Sequence, residues 1–147
     1  MKIIITEAQL KMLELLKEGE NTIADYNSRL VNITNQLNKT YNSISFINVA
    51  ELINGEVEIN PVYNMVYSLD AQNSKISAEF EHYYKSFDED TYYDKWEPTH
   101  NALEKVYYKN MDKINVLLTI INDLGNFVDD NEKTKEVFSD IESINLD

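Results

Sequence analysis

Residues 61–87 read PVYNMVYSLDAQNSKISAEFEHYYKSF, and their apolar side chains recur with a helical period. Successive positions of this stripe alternate between steps of four and three residues, which is typical of a coiled-coil seam. The stripe consists of Val62, Val66, Leu69, Asn73, Ile76, Phe80, Tyr83 and Phe87. Asn73 is its one polar member, and a buried amide can fix the register of packed helices. Because Pro61 suits the first turn of a helix, the stretch predicts a helix over 61–87.

A second stripe of apolar residues precedes this one. Thr6-Glu-Ala-Gln9 has the form of a capping box, in which the Thr and Gln side chains bond to the first N–H groups of a helix. The apolar positions then follow a near-heptad spacing: Leu10, Leu13, Leu16, Ile23, Tyr26, Leu30, Ile33, Leu37, Tyr41 and Ile44. They predict a helix over 7–45. It is either continuous or broken near 18–21, because Gly19 costs a helix interior about 1 kcal/mol relative to Ala.

The C-terminal half predicts two further helices. Pro98 marks the first turn of one over 98–128, and an amphipathic segment over 131–144 forms the other. The apolar positions of that last segment are Val137, Phe138, Ile141 and Ile144. The predicted fold is therefore mainly α, an elongated three- to four-helix bundle with coiled-coil-like seams that forms a single helical domain over 1–147.

The segment between the first two helices has a different pattern. Asn54-Gly55 lies between short apolar runs, and Val57 and Ile59 alternate with glutamates, as in a two-residue β-hairpin. Residues 2–5 are a candidate third strand. The segment near 48–60 therefore fits two structures equally well, a short β-ribbon or an irregular loop that tucks its apolar residues under the bundle.

The charge of the chain restricts its partners. The 147 residues carry a formal net charge of −13, no cysteine and a single arginine, Arg29. Negative charge of this size repels nucleic acid and anionic membranes, and one arginine offers little for bidentate phosphate binding. The N-terminus lacks a basic region followed by an extended apolar run. We therefore expect no signal peptide, no membrane span and a cytoplasmic location.

No pattern typical of a catalytic centre is present in the sequence. Cysteine is absent, no serine lies in a nucleophile-elbow motif, and Gly19, Gly55 and Gly125 are isolated instead of forming a phosphate-binding loop. The carboxylates occur in hydrophilic runs, which is typical of a solvated face. We expect a protein that is not an enzyme and has no cofactor.

Both histidines lie in Glu-x-x-His segments, Glu79–His82 and Glu97–His100. Two such motifs with two further glutamates form the metal centre of ferritin-like di-iron bundles. Here the helical phase directs His82 away from the seam, the motifs lie on consecutive helices, and Pro98 interrupts the second motif. We therefore predict two solvated histidines near an acidic turn and no metal site.

The connection between the second and third helices, residues 87–100, reads FDEDTYYDKWEPTH and contains the only tryptophan. Adjacent helical residues diverge by about 100°, so one ring of a tyrosine pair enters the seam while the other faces sideways. Alternatively, both rings fill a wide groove between three helices. Exposed aromatic rings are enriched at protein interfaces. We predict a partner-binding surface with an acidic rim, made of Tyr84, Tyr92, Tyr93, Trp96, Asp88, Glu89 and Asp90.

Residues 1–10, MKIIITEAQL, and the Asn-, Lys- and Tyr-rich, Arg-poor composition resemble small helical virion and adaptor proteins of tailed phages. This resemblance implies assembly through protein contacts, in the host-cell cytoplasm or the virion, and no active site. Tyr84–Asp88, Tyr93–Glu97 and Tyr108–Asp112 are similar to the Tyr-x-x-x-Asp/Glu export signal of type VII secretion substrates. The Trp-x-Gly turn of that family is missing after Trp96.

These observations predict a non-enzymatic protein–protein interaction or assembly component, whose partner is another protein or a second copy in a homo-oligomer. One alternative is an acidic inhibitor that mimics nucleic acid and binds a basic groove, although residues 26–45 contain no acid. Another is a helical substrate or partner of type VII secretion. Salt-sensitive binding to a basic enzyme would favour the inhibitor, and a defined oligomer at high salt would favour the assembly component.

Overall fold

The computed structural model describes residues 6–144, and their side chains as far as residue 141. The candidate strand over 2–5 lies outside the described residues. The described part of the chain contains no β-strand and consists of α1 (Glu7–Ser45), α2 (Val49–Ile53), α3 (Asn60–Lys85), α4 (Glu89–Thr91), a π-helical turn (Tyr92–Trp96) and α5 (Glu97–Ile144). At 1.5 Å per residue, α1 is about 58 Å long and α5 about 72 Å. The predicted elongated helical bundle is confirmed.

The three long helices pack side by side, with α1 parallel to α5 and α3 antiparallel to both. Increasing residue numbers in α1 meet increasing numbers in α5, as in the pairs Glu20–Lys95 (3.9 Å) and Asn38–Lys113 (2.7 Å). Increasing numbers in α1 meet decreasing numbers in α3, as in the pairs Arg29–Glu79 (2.8 Å) and Thr40–Met65 (3.6 Å). The turn between α3 and α5 therefore lies near the beginning of α1.

The core follows the predicted seams through the middle of the bundle. Its most deeply buried apolar side chains are Leu30, Ile33, Leu37, Val66, Leu69, Phe80, Leu103, Ile114 and Leu117. Leu10, Leu13 and Tyr41 were predicted in the α1 stripe but are about half exposed, at 51%, 53% and 51%. Within the described residues, no helix is long and apolar enough to cross a membrane.

A layer of amide side chains crosses this core. Asn73 and Asn110 are fully buried, and the Asn110 side-chain amide donates to the Asn73 side-chain oxygen at 3.1 Å and to the Leu30 carbonyl at 3.1 Å. The Thr34 hydroxyl donates to the Asn110 side-chain oxygen at 2.6 Å, and the Asn73 amide donates to the Tyr107 carbonyl at 3.3 Å. Because buried amides must be paired, this layer fixes the register of all three long helices.

Of the two alternatives near 48–60, the β-ribbon is wrong, because a short helix and an irregular turn occupy this segment. Asn48 caps the first turn of α2 with its side chain. Gly55 adopts a φ of 76° just after α2, and the Glu56 N–H donates to the Glu51 carbonyl at 2.9 Å. This is a Schellman ending, in which glycine supplies the left-handed residue. The Asn-Gly pair thus ends a helix instead of turning a hairpin.

The predicted division of the C-terminal half into helices over 98–128 and 131–144 is also wrong, since α5 is continuous. Residues 129–133 contain no glycine or proline that would end a helix. The side chains of Asn131 and Thr134 donate to carbonyls four residues earlier, at 2.8 Å and 2.9 Å, which is compatible with an unbroken helix. Of the two alternatives for the first helix, the continuous one is correct, because α1 passes through Gly19 without a break. The α3 helix ends two residues before the predicted residue 87.

Candidate functional sites at the tip and at the projecting helix ends

The turn between α3 and α5, here called the tip, is mostly helical. Only residues 86–88 separate α3 from α4, and the π turn then continues directly into α5. Asp88 caps α4 by accepting a hydrogen bond from the Thr91 N–H at 2.7 Å, and this bonding lowers the pKa of the Asp88 carboxyl. The acidic connection predicted from sequence is therefore a capped helix start.

The π turn accommodates a proline inside the helix. Pro98 has no N–H, and its ring crowds the carbonyl four residues earlier. Just before it, the Glu97 N–H donates to the Tyr92 carbonyl, five residues back, which widens the turn. The side chains of Tyr92, Trp96 and His100 then face α3, where they contact aromatic rings of that helix or of the turn after it.

The structure separates the seven predicted partner-binding residues into exposed and buried groups. The exposed members are Tyr93, Asp88, Glu89 and Asp90, and Tyr92 is half-buried. By contrast, Tyr84 is 3% exposed and Trp96 is 2% exposed. Their burial contradicts their assignment to a partner-binding surface.

Trp96 is buried because it packs against Gly19 of α1. A Cβ atom added to Gly19 would lie 3.0 Å from the Trp96 ring, so the absence of a side chain at Gly19 allows this close approach. The indole also contacts the Phe87 ring, with centroids 5.3 Å apart. The indole Nε1 is buried without a hydrogen-bond partner among the described residues. The tryptophan therefore attaches the tip to α1.

His100 is held in a network of side chains, and the prediction that it is solvated is wrong. Its side chain is 13% exposed, its Nδ1 lies 2.5 Å from the Tyr92 hydroxyl, and its Nε2 lies 2.7 Å from Glu81 Oε1. The Nε2 atom is also 3.3 Å from Glu104 Oε1. His82, in contrast, is exposed as predicted.

Tyr84 forms one wall of this network. Its ring stacks on the His100 imidazole with a centroid distance of 4.3 Å and an interplanar angle of 28°. Its hydroxyl pairs with the Thr99 hydroxyl at 3.0 Å. Burial raises the pKa of the Tyr84 phenol, although the bond to Thr99 acts in the opposite direction. The phenol therefore stays neutral and holds the imidazole in place.

The two carboxyl groups beside His100 have opposite pKa shifts. Burial by itself raises the pKa of Glu81, but hydrogen bonds from His100 and Glu104 lower it more, to below the usual 4.5. Burial, the hydrogen bond to Glu81 and the Glu81 charge raise the pKa of Glu104. Because of these opposite shifts, Glu81 loses its proton at a lower pH than Glu104 does.

The donor set at the tip has the chemistry of a small metal site. Glu81, His100 and Glu104 each offer one ligand atom, and these atoms lie within 4.8 Å of one another. A cavity of about 300 Å³, open to solvent, is lined in part by Glu81, Tyr92 and His100. Sequence reasoning missed Glu81 and Glu104. The spacing of four residues between His100 and Glu104 on one helix is the signal that could have found the second of them.

Two helix ends extend beyond the three-helix region in opposite directions. All side chains of residues 7–15, here called the α1 extension, are exposed beyond the tip. All side chains of residues 132–141, the α5 extension, are exposed beyond the other end. The large apolar side chains that they expose are Leu10, Met12, Leu13, Leu15, Val137, Phe138 and Ile141, each between 47% and 65% accessible. Both extensions thus carry apolar faces with no partner helix in the described part of the chain.

The tip cluster and the two extensions are therefore the candidate sites of this protein. Comparison with known protein families, with curated proteins and with solved structures finds no match.

Proposed function

We propose that the protein is a non-enzymatic assembly component that self-associates end to end, with the α1 extension of one copy packing against the α5 extension of the next. The observation that carries this proposal is the pair of unpartnered apolar faces at opposite ends of the bundle. Exposed apolar surface of this kind marks an interaction site.

The direction of the helices supports this pairing. When two copies are stacked along their long axes, the α1 extension of one lies beside the α5 extension of the other, and both run in the same direction. This is the parallel orientation that α1 and α5 already have within one chain. At 1.5 Å per residue the extensions are about 13 Å and 15 Å long, so they overlap over almost their full lengths.

The energetics favour a weak, concentration-dependent association. Burying the exposed half of a leucine or phenylalanine side chain gains about 1 kcal/mol. Burying all seven such side chains would gain at most about 7 kcal/mol, which lies within the range of the cost of association, about 4–15 kcal/mol. The contact is head to tail, so it leaves a free extension at each end and permits growth into a polymer or a closed ring.

Charge gives the association a characteristic dependence on salt. The α1 extension contains two acids and one lysine, and the α5 extension contains three acids and two lysines. Two net negative faces on chains of net charge −13 repel each other at low ionic strength. Added salt therefore strengthens the assembly. Assembly of this type also agrees with the phage virion or adaptor origin that residues 1–10 resemble, and we include that origin in the proposal.

The test is analytical ultracentrifugation of full-length protein over a range of concentrations and salt, with one charged substitution at each extension. Leu13→Glu and Phe138→Glu should each be monomeric. Val116→Glu is the matched control, because Val116 is 54% exposed on the body of the bundle and Leu13 is 53% exposed. The control should assemble like the wild type.

A mixture of the two variants separates head-to-tail pairing from symmetric pairing. Leu13→Glu retains the α5 extension and Phe138→Glu retains the α1 extension, so their mixture should form a dimer that grows no further. If Phe138→Glu alone still dimerised, the contact would join two α1 extensions and the head-to-tail arrangement would be wrong. A wild type that stays monomeric at high concentration and in high salt would overturn the proposal.

A second candidate is the acidic inhibitor that occupies a basic groove of another protein, favoured by the net charge of −13. Long-range attraction to a basic partner weakens with salt, whereas the self-association proposed above strengthens. The direction of the salt dependence therefore distinguishes the two functions. A monomer that binds a basic protein only at low ionic strength would place the inhibitor first.

A further inference from the structure

We propose that Glu81, His100 and Glu104 form a binding site for a divalent transition-metal cation such as Zn²⁺ or Co²⁺. This proposal is independent of the assembly proposed above and replaces the sequence-based expectation that the chain binds no metal. One imidazole and two carboxylates are ligands that suit Zn²⁺, Fe²⁺ and Co²⁺. The ligands come from the facing helices α3 and α5, which hold them on a rigid frame.

The two distances that join His100 to the carboxylates fit such a cation with a small adjustment. The ligand atoms of a tetrahedral Zn²⁺ site, with bonds of about 2.0–2.1 Å, lie about 3.3–3.4 Å apart. The distance from His100 Nε2 to Glu104 Oε1 is 3.3 Å, which matches this spacing. The distance from Nε2 to Glu81 Oε1 is 2.7 Å, so the Glu81 carboxylate must move outward by about 0.6 Å, and its side chain is 35% exposed and free to do so.

The surroundings of His100 prepare it to act as a ligand. The other ring nitrogen, Nδ1, is bonded to the Tyr92 hydroxyl, and when Nδ1–H donates to that oxygen the lone pair of Nε2 is directed at the two carboxylates. A hydrogen bond to the second nitrogen is the usual way in which proteins orient a metal-binding histidine. The stacked Tyr84 ring fixes the plane of the imidazole as well.

The charge of the cluster and its access to solvent also favour a bound cation. With a neutral imidazole, two carboxylates lie close to one nitrogen, since Glu81 Oε1 and Glu104 Oε1 are 2.7 Å and 3.3 Å from His100 Nε2. A divalent cation compensates both negative charges. The open cavity of about 300 Å³ beside Glu81 and His100 provides a path for the ion and room for a water molecule in the remaining coordination position.

The test is titration of the purified full-length protein with Co²⁺, whose visible absorption reports coordination geometry, followed by displacement with Zn²⁺. We expect one equivalent of Co²⁺ to bind with the intense bands of a four- or five-coordinate site. Glu104→Gln keeps the size of the side chain and should weaken the binding by tenfold or more. His100→Asn should abolish the bands, with circular dichroism to verify that the helices persist.

Two control variants remove matched residues that lie outside the cluster. His82→Asn removes the exposed histidine, and Glu97→Gln removes the glutamate of the sequence motif Glu97–His100. Both should bind Co²⁺ like the wild type. The proposal is overturned if the wild type shows no saturable binding at millimolar Co²⁺, or if His82→Asn weakens binding as much as His100→Asn, since the ion would then sit on surface histidine. It is also overturned if Glu104→Gln binds as tightly as the wild type.

Discussion

Replacing glycine by alanine should have opposite effects at two positions within the long helices. Gly125 lies in α5, and a Cβ atom added there meets nothing within 4 Å. Gly125→Ala should therefore stabilise the protein by the helix-propensity difference of about 1 kcal/mol. Gly19 lies in α1 at the same kind of helical position, but a Cβ atom there would lie 3.0 Å from Trp96 Cη2 and Cζ2.

The packing of the Trp96 indole determines how much the effect of Gly19→Ala on the free energy of unfolding differs from that of Gly125→Ala. Carbon atoms in favourable contact are about 3.5–4.0 Å apart, so the Trp96 ring would have to move by a few tenths of an ångström. Trp96 is 2% exposed, and its ring also contacts Phe87. Overpacking of this kind costs about 1–3 kcal/mol, which exceeds the propensity gain. We expect Gly19→Ala to lower the free energy of unfolding by about 0–2 kcal/mol.

Urea unfolding followed by circular dichroism measures both changes, at a concentration low enough to keep the protein monomeric. Trp96 is the only tryptophan in the chain, so its fluorescence reports the displaced ring directly. Combining Gly19→Ala with Trp96→Phe should remove the clash, and in that background the glycine substitution should become stabilising. If Gly19→Ala stabilised the wild type as much as Gly125→Ala does, the close approach of Trp96 to α1 would be refuted.

Three further outcomes follow from the described contacts. Asn110→Leu leaves buried partners unpaired in the amide layer, so it should lower the free energy of unfolding in urea by about 2–4 kcal/mol. The control Asn115→Leu lies on the exposed face of the same helix and should change this free energy by less than about 0.5 kcal/mol. Gly55→Ala places a side chain at a residue with a φ of 76°, so it should lower the free energy of unfolding by about 1 kcal/mol even though the space around Gly55 is open. An unchanged midpoint of urea unfolding would contradict this backbone conformation. The pKa of Asp88 is lowered from 3.8, so its cap stabilises the protein above that pH and the stabilisation is lost as the pH falls through the lower folded pKa. The stability difference between the wild type and Asp88→Asn should therefore close in acid unfolding measurements below about pH 4, and a difference that persisted at pH 2 would exclude this cause.

The helical architecture was predictable because its signal is local and repeated. The α3 stripe alternates over seven steps, and five of its members, from Val66 to Phe80, are buried in the bundle. Asn73 was identified as the polar position of the seam, and it is fully buried. The local pattern could not identify its partner, Asn110. To pair two amides on different helices, one must know the register between those helices.

The errors arise where one sequence pattern fits two structures. An Asn-Gly pair supplies a residue with positive φ both to a hairpin and to a helix ending, and the helical residues before Gly55 decide between them. Trp96 was predicted to lie on the surface together with the sideways-facing tyrosines, but its burial depends on Gly19 far away in the sequence. Similarly, the partner Glu81 of His100 could be found only once the relative position of α3 and α5 was known.

The spacing of the contacts along the chain also implies an order in which the bundle forms. Two contacts close the tip: Tyr84–Thr99, which are 15 residues apart in the sequence, and Glu81–His100, which are 19 residues apart. Contacts of α1 with the rest span 50 residues for Arg29–Glu79 and 80 residues for the bond between Leu30 and Asn110. Because short loops close at a lower entropic cost, we expect the α3–α5 hairpin to form first, which pulsed hydrogen exchange during refolding would detect.

During synthesis on the ribosome, the helices become available in a different order from the one in which they pack during refolding. The α1 helix emerges first, yet the residues of α5 that complete its buried face are translated last. Until then the nascent chain carries an apolar stripe that can pair only with α3, and the amide layer stays open. The time between the synthesis of α1 and its packing against α5 is therefore set by the rate of translation and not by the rate at which the helices themselves form.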